Sequence, residues 1–261
     1  MLNIRFGWDY LLHRLTAKNR HGLHSPFIYR LVDEVIYNFS DKKEYCHIEE
    51  ARKRLLNDKR QITVTDLGAG SHLNNNQVKQ VSDIAKNALK SPRLAQLIYR
   101  LVVNQQPGNI TELGTCLGIT TLYLQQARPK ADIYTLEGCP QTAGIAAGVF
   151  KQERANDIEQ RIGNFDDTLK PLIDTLPQLD FVYVDGNHQK EATLRYFEWC
   201  LPKVHEDTLL IFDDIYWSEG MKEAWATIKS HPRVTVTVDL FWIGLVYFRK
   251  GQEKEDFKIR F

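Results

Sequence analysis

Two acidic residues, Glu112 and Glu137, lie at the ends of predicted strands, where together they can bind one cofactor. Glu112 begins the segment Glu-Leu-Gly-Thr-Cys-Leu-Gly, and a helix is predicted directly after Gly118. Glycines at 114 and 118 let a ligand approach the backbone, and the free N–H groups of a helix start suit an anion. Glu137 ends the next predicted strand, where a carboxylate can accept hydrogen bonds from both hydroxyls of a ribose. The pair indicates a cofactor that contains a nucleoside.

The loop over residues 112–118 narrows the choice of cofactor. A glycine turn between a strand and a helix is weak evidence by itself, because such turns are common without any ligand. Nicotinamide and flavin sites use Gly-x-Gly-x-x-Gly to admit a pyrophosphate, and this loop lacks that spacing. The acid at position 112 therefore favours a cofactor that carries an amine and a sulfonium rather than phosphates.

Three aspartates after two later strands form a candidate metal site. Asp185 follows a predicted strand over 179–184, and Asp213 and Asp214 follow another over 208–212. We expect these strands to be neighbours, so the carboxylates can converge, and a hard divalent cation such as Mg²⁺ would relieve their repulsion. The alternative is that Asp213 caps the next helix and Asp214 binds nothing.

His188 is a candidate catalytic base because it stands three residues after Asp185. Histidine titrates near neutral pH and can remove a proton from a substrate hydroxyl. The alternative is a capping or supporting role at the start of a helix predicted over 190–200. We favour the catalytic role for His188, with Asp185 beside it.

Strands that alternate with helices are predicted to position these residues. Predicted strands cover 109–113, 132–136, 158–162, 179–184 and 208–212, and two more close the chain at 234–240 and 241–249. Repeated β-α units with short connections predict an α/β fold with a doubly wound, mostly parallel sheet. The closing pair is joined almost without a loop, so it must be antiparallel. Ligands of such sheets bind at the carboxyl ends of the strands.

The part of the chain before this sheet has the apolar spacing of helices instead of alternating strands and helices. Residues 1–106 are predicted to be mostly helical and to form an N-terminal extension or cap, with a Rossmann-like cofactor-binding domain over 107–261. A second glycine-rich segment, Asp-Leu-Gly-Ala-Gly-Ser-His over 66–72, is followed neither by a helix start nor by a strand that ends in an acid. We interpret it as a loop near the site or as an ordinary surface turn.

Composition and charge exclude several classes of protein. The 261 residues are 43% hydrophobic and 26% charged, as in an ordinary globular chain. The longest apolar run, Leu240 to Phe248, is far shorter than the ~20 residues of a membrane-spanning helix. Charged residues interrupt the apolar stretch that a signal peptide would need near the first residue. The four cysteines are scattered along the chain, which favours free thiols. We expect a cytoplasmic protein without a membrane partner.

Charge is unevenly placed along the chain. Residues 1–100 hold 17 Lys+Arg against 10 Asp+Glu, a balance of +7, and the remainder holds 17 against 23, a balance of −6. Opposite charges three or four apart indicate solvated helix faces, and no basic stripe alternates with aromatic residues. A nucleic-acid partner is therefore not expected, and a homodimer stays open.

These motifs together resemble the class I S-adenosylmethionine-dependent methyltransferases, and among them the small-molecule O-methyltransferases of the catechol and caffeoyl-CoA type. The resemblance spans roughly Gln96 to Phe248. It lies in the order of the motifs: acid-Leu-Gly-x-x-x-Gly at 112–118, the ribose-binding acid Glu137, the turn over 163–166, Asp185, and Asp213-Asp214 where the family has Asp-Asn. The family's sheet has seven strands, of which the last is antiparallel.

The resemblance implies S-adenosylmethionine as cofactor, Mg²⁺ or another divalent cation, and an oxygen of a small-molecule acceptor as the methylated atom. It implies these cofactor-binding residues: Glu112, Gly114, Thr115, Cys116, Gly118, Glu137, Gly138, Asn164, Phe165 and Asp185. The implied metal ligands are Asp185, Asp213 and Asp214, and the family has a lysine base where this chain has His188. The identity of the acceptor does not follow from the sequence.

Two other functions stay open at this stage. The basic first part could hold a nucleic acid or another macromolecule for methylation, although the Asn/Asp-Pro-Pro-aromatic motif of amino-directed base methylases is absent after the fourth strand. The chain could also bind the cofactor without catalysis.

Overall fold

A computed structural model describes residues 4–40, 43–65 and 78–261. The glycine-rich segment over 66–72 lies outside the described residues. The α-helices are α1 (Ile4–Thr16), α2 (Pro26–Arg30), α3 (Cys46–Leu56), α4 (Val81–Ala88), α5 (Pro92–Gln105), α6 (Ile119–Ala127), α7 (Pro140–Gln152), α8 (Phe165–Thr175), α9 (Lys190–Cys200) and α10 (Glu219–Ser230). A π-helix covers Leu31–Ile36, and short 3₁₀ turns cover Arg20–Gly22, Lys43–Tyr45 and Leu201–Lys203.

Eight strands form one sheet, and two more form a small hairpin. The strands are β1 (Gln61–Thr63), β2 (Val78–Gln80), β3 (Asn109–Leu113), β4 (Asp132–Glu137), β5 (Ile158–Ile162), β6 (Leu179–Val184), β7 (Val204–Asp213), β8 (Val236–Asp239), β9 (Ile243–Tyr247) and β10 (Glu255–Lys258). The order in the large sheet is β10-β8-β9-β7-β6-β3-β4-β5, and β9 is antiparallel to both of its neighbours. The predicted doubly wound, mostly parallel sheet with one antiparallel strand is confirmed, but the sheet has eight strands instead of seven, and the last strand of the chain, β10, is parallel to its neighbour.

Three short strands differ from the sequence prediction. β10 pairs parallel with β8 at the sheet edge, and β1 pairs antiparallel with β2. Each has only three or four residues, mostly polar, so no run of alternating apolar residues announces it. Pairing with a neighbouring strand, rather than local pattern, determines these segments.

The chain packs as two compact units. The central unit is Ser40–Thr175, and the terminal unit joins Met1–Phe39 to Leu176–Phe261. These units are defined by which residues pack together. The predicted boundary between an N-terminal extension over 1–106 and a cofactor-binding domain over 107–261 stays a prediction. Among the described residues, no helix is both long and apolar enough to cross a membrane.

The central unit has its own apolar core, built mainly from helices. Helix α5 begins where the Ser91 hydroxyl accepts a hydrogen bond from the N–H of Leu94, with Pro92 in the first turn. Its residues from Leu97 to Val102 are all buried, so the middle of the helix is enclosed on every side. Residues such as Ile48, Ala51, Val81, Leu122, Tyr123 and Phe150 form the core around it. Leu117, in the loop that follows β3, belongs to this core.

In the terminal unit, a buried acid anchors helix α1 near the end of β8. Asp239 Oδ1 lies 3.0 Å from His13 Nε2 and accepts the N–H of Phe241 at 2.9 Å, and Oδ2 accepts the Tyr216 hydroxyl at 2.8 Å. Burial opposes ionisation of Asp239, but the hydrogen bond and charge of His13, with those other two bonds, outweigh it and lower its pKa. The side chain of Phe6 packs on Phe241 as well.

Replacing this acid tests how much the anchor contributes. Asp239→Ala removes all three hydrogen bonds and leaves His13 buried without its partner, so we expect a loss of roughly 3–5 kcal/mol of unfolding free energy at pH 7. Because the folded pKa of Asp239 is lowered, the stabilisation is present above the ordinary aspartate range and is lost as the pH falls through the folded pKa. Urea denaturation at pH 7 and pH 3 measures both effects. Asp174→Ala, which breaks an exposed Lys170–Asp174 pair, is the control and should cost under ~1 kcal/mol.

Candidate functional site

The loop after β3 is shaped by residues in the left-handed region of backbone conformation. Gly114 has φ 102° and Gly118 has φ 83°, values that favour glycine, and Cys116 adopts φ 49°. A Cβ at Gly118 would lie 2.6 Å from the ring of Phe150 and 3.2 Å from the Cβ of Ala146. Helix α6 starts directly after this glycine, so its first N–H groups lie beside the loop.

Glu112, on β3, is a completely buried carboxyl group with one satisfied oxygen. Its Oε2 accepts hydrogen bonds from the hydroxyls of Thr121 at 2.5 Å and Thr135 at 2.7 Å. Its Oε1 is buried and has no hydrogen-bond partner among the described residues. Burial raises the pKa of Glu112 to about 7 in spite of the two threonine bonds. A buried acceptor without a donor costs free energy, so this oxygen suits a ligand that brings an N–H group or a positive charge.

Glu137, at the end of β4, joins two loops. Its Oε2 accepts the N–H of Cys116 at 2.8 Å, and its Oε1 accepts the N–H of Cys139 at 2.9 Å. Burial raises the pKa of Glu137 against the effect of these bonds. Thr142 and Gly138 also act on this carboxylate, and Glu137 is half-buried, so a ligand can still reach it.

The remaining candidates for cofactor binding lie around these two acids. Thr115 is buried, and its hydroxyl lies 2.6 Å from that of Thr135, while Gly138 is half-buried directly after Glu137. Gly163 donates its N–H to the carbonyl of Glu137 at 2.9 Å, and the side chain of half-buried Asn164 accepts the N–H of Asp166. Phe165, buried, begins α8. The central unit therefore gathers these candidates at the ends of β3, β4 and β5.

A second group of candidates, Asp185, His188 and Asp213, meets in the terminal unit. One potential ligand atom from each of the three lies within 4.8 Å of the others. His188 Nε2 is 3.7 Å from Asp185 Oδ1, and the Tyr183 hydroxyl lies 3.1 Å from Asp185 Oδ2 and 3.4 Å from Asp213 Oδ1. Asp213 is buried, whereas Asp185 and His188 are half-buried. Two carboxylates and an imidazole are donors that a divalent cation accepts.

Asp214 lies beside this group of three without belonging to it. Its Oδ2 is 3.7 Å from His188 Nε2, so the imidazole lies between the carboxylates of Asp185 and Asp214. The backbone of Asp214 has φ 53°; its N–H donates to the carbonyl of Trp242, and its own carbonyl accepts the N–H of Trp217. Two partly exposed tryptophans are thereby tied to the backbone next to the cluster.

The structure also decides two capping alternatives. Helix α10 is capped by Ser218, whose hydroxyl accepts the N–H of Met221 at 3.1 Å, so the alternative that Asp213 caps this helix is wrong. Helix α9 has Gln189 at its N-cap and no side-chain cap, so His188 does not cap it either. Both side chains are left for the cluster.

Three hydroxyl groups in these clusters were missed by the sequence analysis: Thr121, Thr135 and Tyr183. Thr135 stands two residues before Glu137, and Tyr183 stands two residues before Asp185. Residues two apart on a strand share a face, so this alternation was a usable signal. Thr121 lies on α6 and meets Glu112 only through packing, which no local pattern announces.

Comparison with known proteins finds a family profile that matches this part of the chain. Residues 111–215 match a family profile described as "Methyltransferase domain". This range runs from within β3 to just after β7 and contains every candidate residue described above. The resemblance to methyltransferases that the motifs indicate is confirmed.

Relatives and solved structures point the same way. A catechol O-methyltransferase from Niastella koreensis is 28% identical over 128 residues, which cover 48% of this chain and 57% of that protein. The O-methyltransferase from Bacillus cereus, solved in complex with SAH, has a TM-score of 0.57 and 20% identity and covers 81% of this chain and 93% of its own. The O-methyltransferase TomG from Streptomyces achromogenes, solved with SAM, has a TM-score of 0.58 and 16% identity. The match covers 89% of this chain and 99% of the TomG chain. The chain spans a little over half the length of the curated relatives it matches, and the structural likeness at these identities shows the shared fold.

The raised pKa of Glu112 makes a prediction about stability and pH. The folded pKa lies near 7 and the ordinary value is 4.5, so the folded state holds its proton longer and the wild type loses stability as the pH rises between these values. Glu112→Gln lacks this loss. Its advantage over the wild type should therefore grow from pH 4.5 to pH 7 by up to about 3 kcal/mol and then level off.

Urea denaturation of both proteins in steps from pH 4.5 to pH 8 measures this difference. Glu159→Gln, at an exposed glutamate of the same unit, is the control and should show no such trend. A difference between Glu112→Gln and the wild type that stays constant with pH would show that the buried carboxyl is not titrating in this range.

Proposed function

We propose that this chain, whose residues 111–215 match a family profile described as "Methyltransferase domain", transfers the methyl group of S-adenosylmethionine to a hydroxyl oxygen of a small molecule. One observation carries the proposal: within that domain, a buried carboxyl oxygen of Glu112 lacks a donor, beside a loop that Glu137 holds from the next strand. A cofactor with an amine, a positive charge and a ribose fits these two acids. Complexes with SAM and SAH among structures of the same fold support it.

In this proposal the central unit binds the methyl donor. Bound S-adenosylmethionine supplies an electrophilic methyl group on a sulfonium, which leaves S-adenosylhomocysteine after transfer. The Oε1 of Glu112 accepts a hydrogen bond from the amine of the methionine part, which satisfies the orphaned oxygen. The backbone of the 112–118 loop, including Gly114, Thr115, Cys116 and Gly118, lines the same part of the ligand. Glu137 and Gly138 bind the ribose, and Asn164 and Phe165 flank the ribose and adenine.

In the terminal unit, His188 is proposed to remove the proton from the acceptor hydroxyl. Its Nε2 lies 3.7 Å from the carboxylates of both Asp185 and Asp214, so the charge that it gains with the proton is stabilised from two sides. Asp185 thereby positions the base and has a role in catalysis. Residues that hold the acceptor hydroxyl in place would supply much of the rate, because positioning replaces a bimolecular encounter.

Asp185 and Asp213 are proposed to hold a divalent cation, with Asp214 or His188 as the third protein ligand. A bound cation would lower the pKa of an acceptor hydroxyl that coordinates it. Carboxylate oxygens alone suit Mg²⁺ or Mn²⁺, whereas an imidazole ligand favours a transition metal such as Fe²⁺ or Zn²⁺. The Tyr183 hydroxyl orients both carboxylates from between them.

The proposed acceptor is a small molecule with a hydroxyl on a flat ring. The relative from Niastella koreensis is named for catechol, and Trp217 and Trp242 offer partly exposed indoles beside Asp214. Aromatic side chains stack readily against flat apolar rings. The cytoplasm is the proposed compartment, because the cysteines at 46, 116, 139 and 200 are free thiols and such thiols persist in reducing surroundings.

Calorimetry followed by a transfer assay tests the function. We expect S-adenosylmethionine and S-adenosylhomocysteine to bind, and tritiated methyl to pass to catechol or another phenol in a panel assayed with Mg²⁺, Mn²⁺ or EDTA. Binding without transfer to any acceptor would favour a cofactor-binding protein without catalysis. Retention on nucleic acid that falls steeply with salt would favour the macromolecular alternative. Absence of cofactor binding would overturn the proposal.

Glu137→Ala is expected to abolish measurable binding of S-adenosylmethionine. Each charge-assisted hydrogen bond to a ribose hydroxyl contributes ~1.5–3 kcal/mol, so loss of two weakens binding by a factor of roughly one hundred or more. Titration calorimetry on the wild type and the variant measures this. Glu159→Ala, at an exposed acid on the adjacent strand β5, is the matched control and should bind normally. An unchanged affinity in Glu137→Ala would show that the ribose assignment is wrong.

The metal proposal predicts a change in melting temperature. Millimolar Mg²⁺ or Mn²⁺ should raise the Tm of the wild type relative to EDTA, because a ligand that binds only the folded state stabilises it. Asp185→Asn should lose this shift, and Asp214→Asn should be as stable as the wild type or more stable without metal, since it relieves like-charge repulsion. Asp180→Asn, at an acid that pairs with His205 elsewhere in the terminal unit, should keep the shift.

His188→Ala separates the two roles of the histidine. A variant that keeps the metal-dependent shift but loses methyl transfer identifies His188 as the base. A variant that loses the shift as well identifies it as a metal ligand. A wild-type Tm that responds to no divalent ion, with or without the cofactor, would exclude the metal and leave the base to act alone.

A further inference from the structure

Glu112 is a buried acid whose hydrogen bonds supply no positive charge. Its side chain is fully buried, and the hydroxyls of Thr121 and Thr135 both donate to its Oε2. The charge that acts on it from among the described residues belongs to a second acid, Glu137, which opposes its ionisation. A carboxyl group removed from water without a cation beside it is more stable with its proton than without it.

The sequence that builds the surroundings of Glu112 is almost free of basic residues. Residues 109–150, which include β3, α6 and β4, contain only Arg128 and Lys130. Both stand in the turn before β4, and β4 runs parallel to β3, so they lie at the end of these strands opposite to Glu112. A ligand that brings a positive charge to Glu112 therefore meets no competing cation from β3, α6 or β4.

The other titratable groups on the neighbouring elements are engaged elsewhere. The hydroxyl of Tyr123, on α6, donates to a glutamate of α3 at 2.7 Å, and Tyr134, on β4, projects from the face of the strand opposite to the threonine that bonds to Glu112. On β6, which follows β3 in the order of the sheet, Asp180 pairs with a histidine and Tyr183 contacts the acids of the other cluster. Burial raises the pKa of Glu112 to about 7, which places its titration near neutral pH.

A proton on Glu112 and an N–H group of a ligand need the same oxygen. Because Oε2 already accepts two hydrogen bonds, the proton is carried by Oε1, which is buried and has no partner among the described residues. The Thr135 hydroxyl gives its single proton to Glu112, so in its 2.6 Å contact with Thr115 it is the Thr115 hydroxyl that donates. Thr115 then offers a ligand only lone pairs. An ammonium group fits these acceptors once the proton has left Oε1.

We propose that the free protein carries a proton on Oε1 of Glu112 and that the ammonium group of S-adenosylmethionine displaces this proton on binding. The ligand keeps all of its own protons, the carboxylate becomes the partner of the ammonium group, and the displaced proton passes to the solvent. Thr135 is the positioning residue, because its hydrogen bond favours the ionised carboxylate. The displacement rests on the proposed function, since it requires S-adenosylmethionine or its product as the ligand of this loop.

Titration calorimetry in cacodylate, MES and imidazole, buffers of different ionisation enthalpy, counts the protons that the full chain releases. S-Adenosylhomocysteine is the first probe, because it keeps the amine, which is mostly charged between pH 6 and pH 7. We expect release of about 0.9 proton per ligand at pH 6 and about 0.5 at pH 7, with an affinity that rises roughly fivefold over this range. S-Adenosylmethionine should behave in the same way.

Two results separate this inference from the proposed function. Binding of S-adenosylhomocysteine or S-adenosylmethionine without proton release at pH 6 would overturn the displacement and leave the proposed function intact, whereas absence of binding would overturn both. 5′-Methylthioadenosine keeps the nucleoside but lacks the amino-acid part, so it should bind without proton release. An equal release with 5′-methylthioadenosine would show that the proton does not come from the site of the amine.

Threonine variants identify Glu112 as the source of the proton. Thr135→Val removes one donor from the carboxylate, so the proton is held more tightly and release at pH 7 should rise from about one half towards one. Thr121→Val removes the other donor and should act in the same direction, and Thr135→Ser should restore the wild-type value. Thr111→Val, on the same strand, removes a buried hydroxyl that has no partner among the described residues and is the matched control. Release at pH 7 that is the same in Thr135→Val and Thr121→Val as in the wild type would overturn the assignment to Glu112.

Discussion

The carboxyl group of Glu112 sets the constraint on which the cofactor side of this protein depends. A carboxyl taken fully out of water needs a proton, a donor or a cation, and the two threonine hydroxyls satisfy only one of its oxygens. Thr135 also lies within hydrogen-bond distance of Thr115, so the same hydroxyl connects the buried acid to the loop above it. The loop conformation and the state of Glu112 are therefore linked. The unsatisfied oxygen of Glu112 costs free energy in the unbound protein, and a ligand that donates a hydrogen bond to it removes this cost on binding.

Both clusters follow one construction rule. In each, an acid at or just after the end of a parallel strand is accompanied by a hydroxyl two residues earlier on the same face: Thr135 before Glu137, and Tyr183 before Asp185. The Thr135 hydroxyl donates a hydrogen bond to Glu112 on the neighbouring strand. The Tyr183 hydroxyl lies within hydrogen-bond distance of both Asp185 and Asp213. Strand pairing thus supplies the precision, since neighbouring strands hold their end residues at fixed spacings. For Glu137, loops supply two backbone donors, the N–H groups of Cys116 and Cys139.

The sequence specified the sheet well because its signals are local. Strands β3, β5 and β6 and helices α6 and α9 begin and end where the apolar runs and turns predict. β10 escaped prediction because its four residues are polar and are ordered by pairing with β8. In the site, the acids at strand ends could be identified one by one, but the approach of His188 to both Asp185 and Asp214 could not, because it arises from packing between two loops and not from a local pattern.

The two margins of the large sheet share a property that bears on how the protein behaves at high concentration. On one margin β10 covers β8, whose residues are all buried, and presents Glu255, Asp256 and Lys258. On the other margin β5 presents Glu159 and Arg161. Charged side chains on a terminal strand discourage a foreign strand from adding to the unpaired backbone groups. The sheet is thus protected against growth into fibrillar aggregates from both sides, and the short C-terminal strand is the element that shields its most apolar margin.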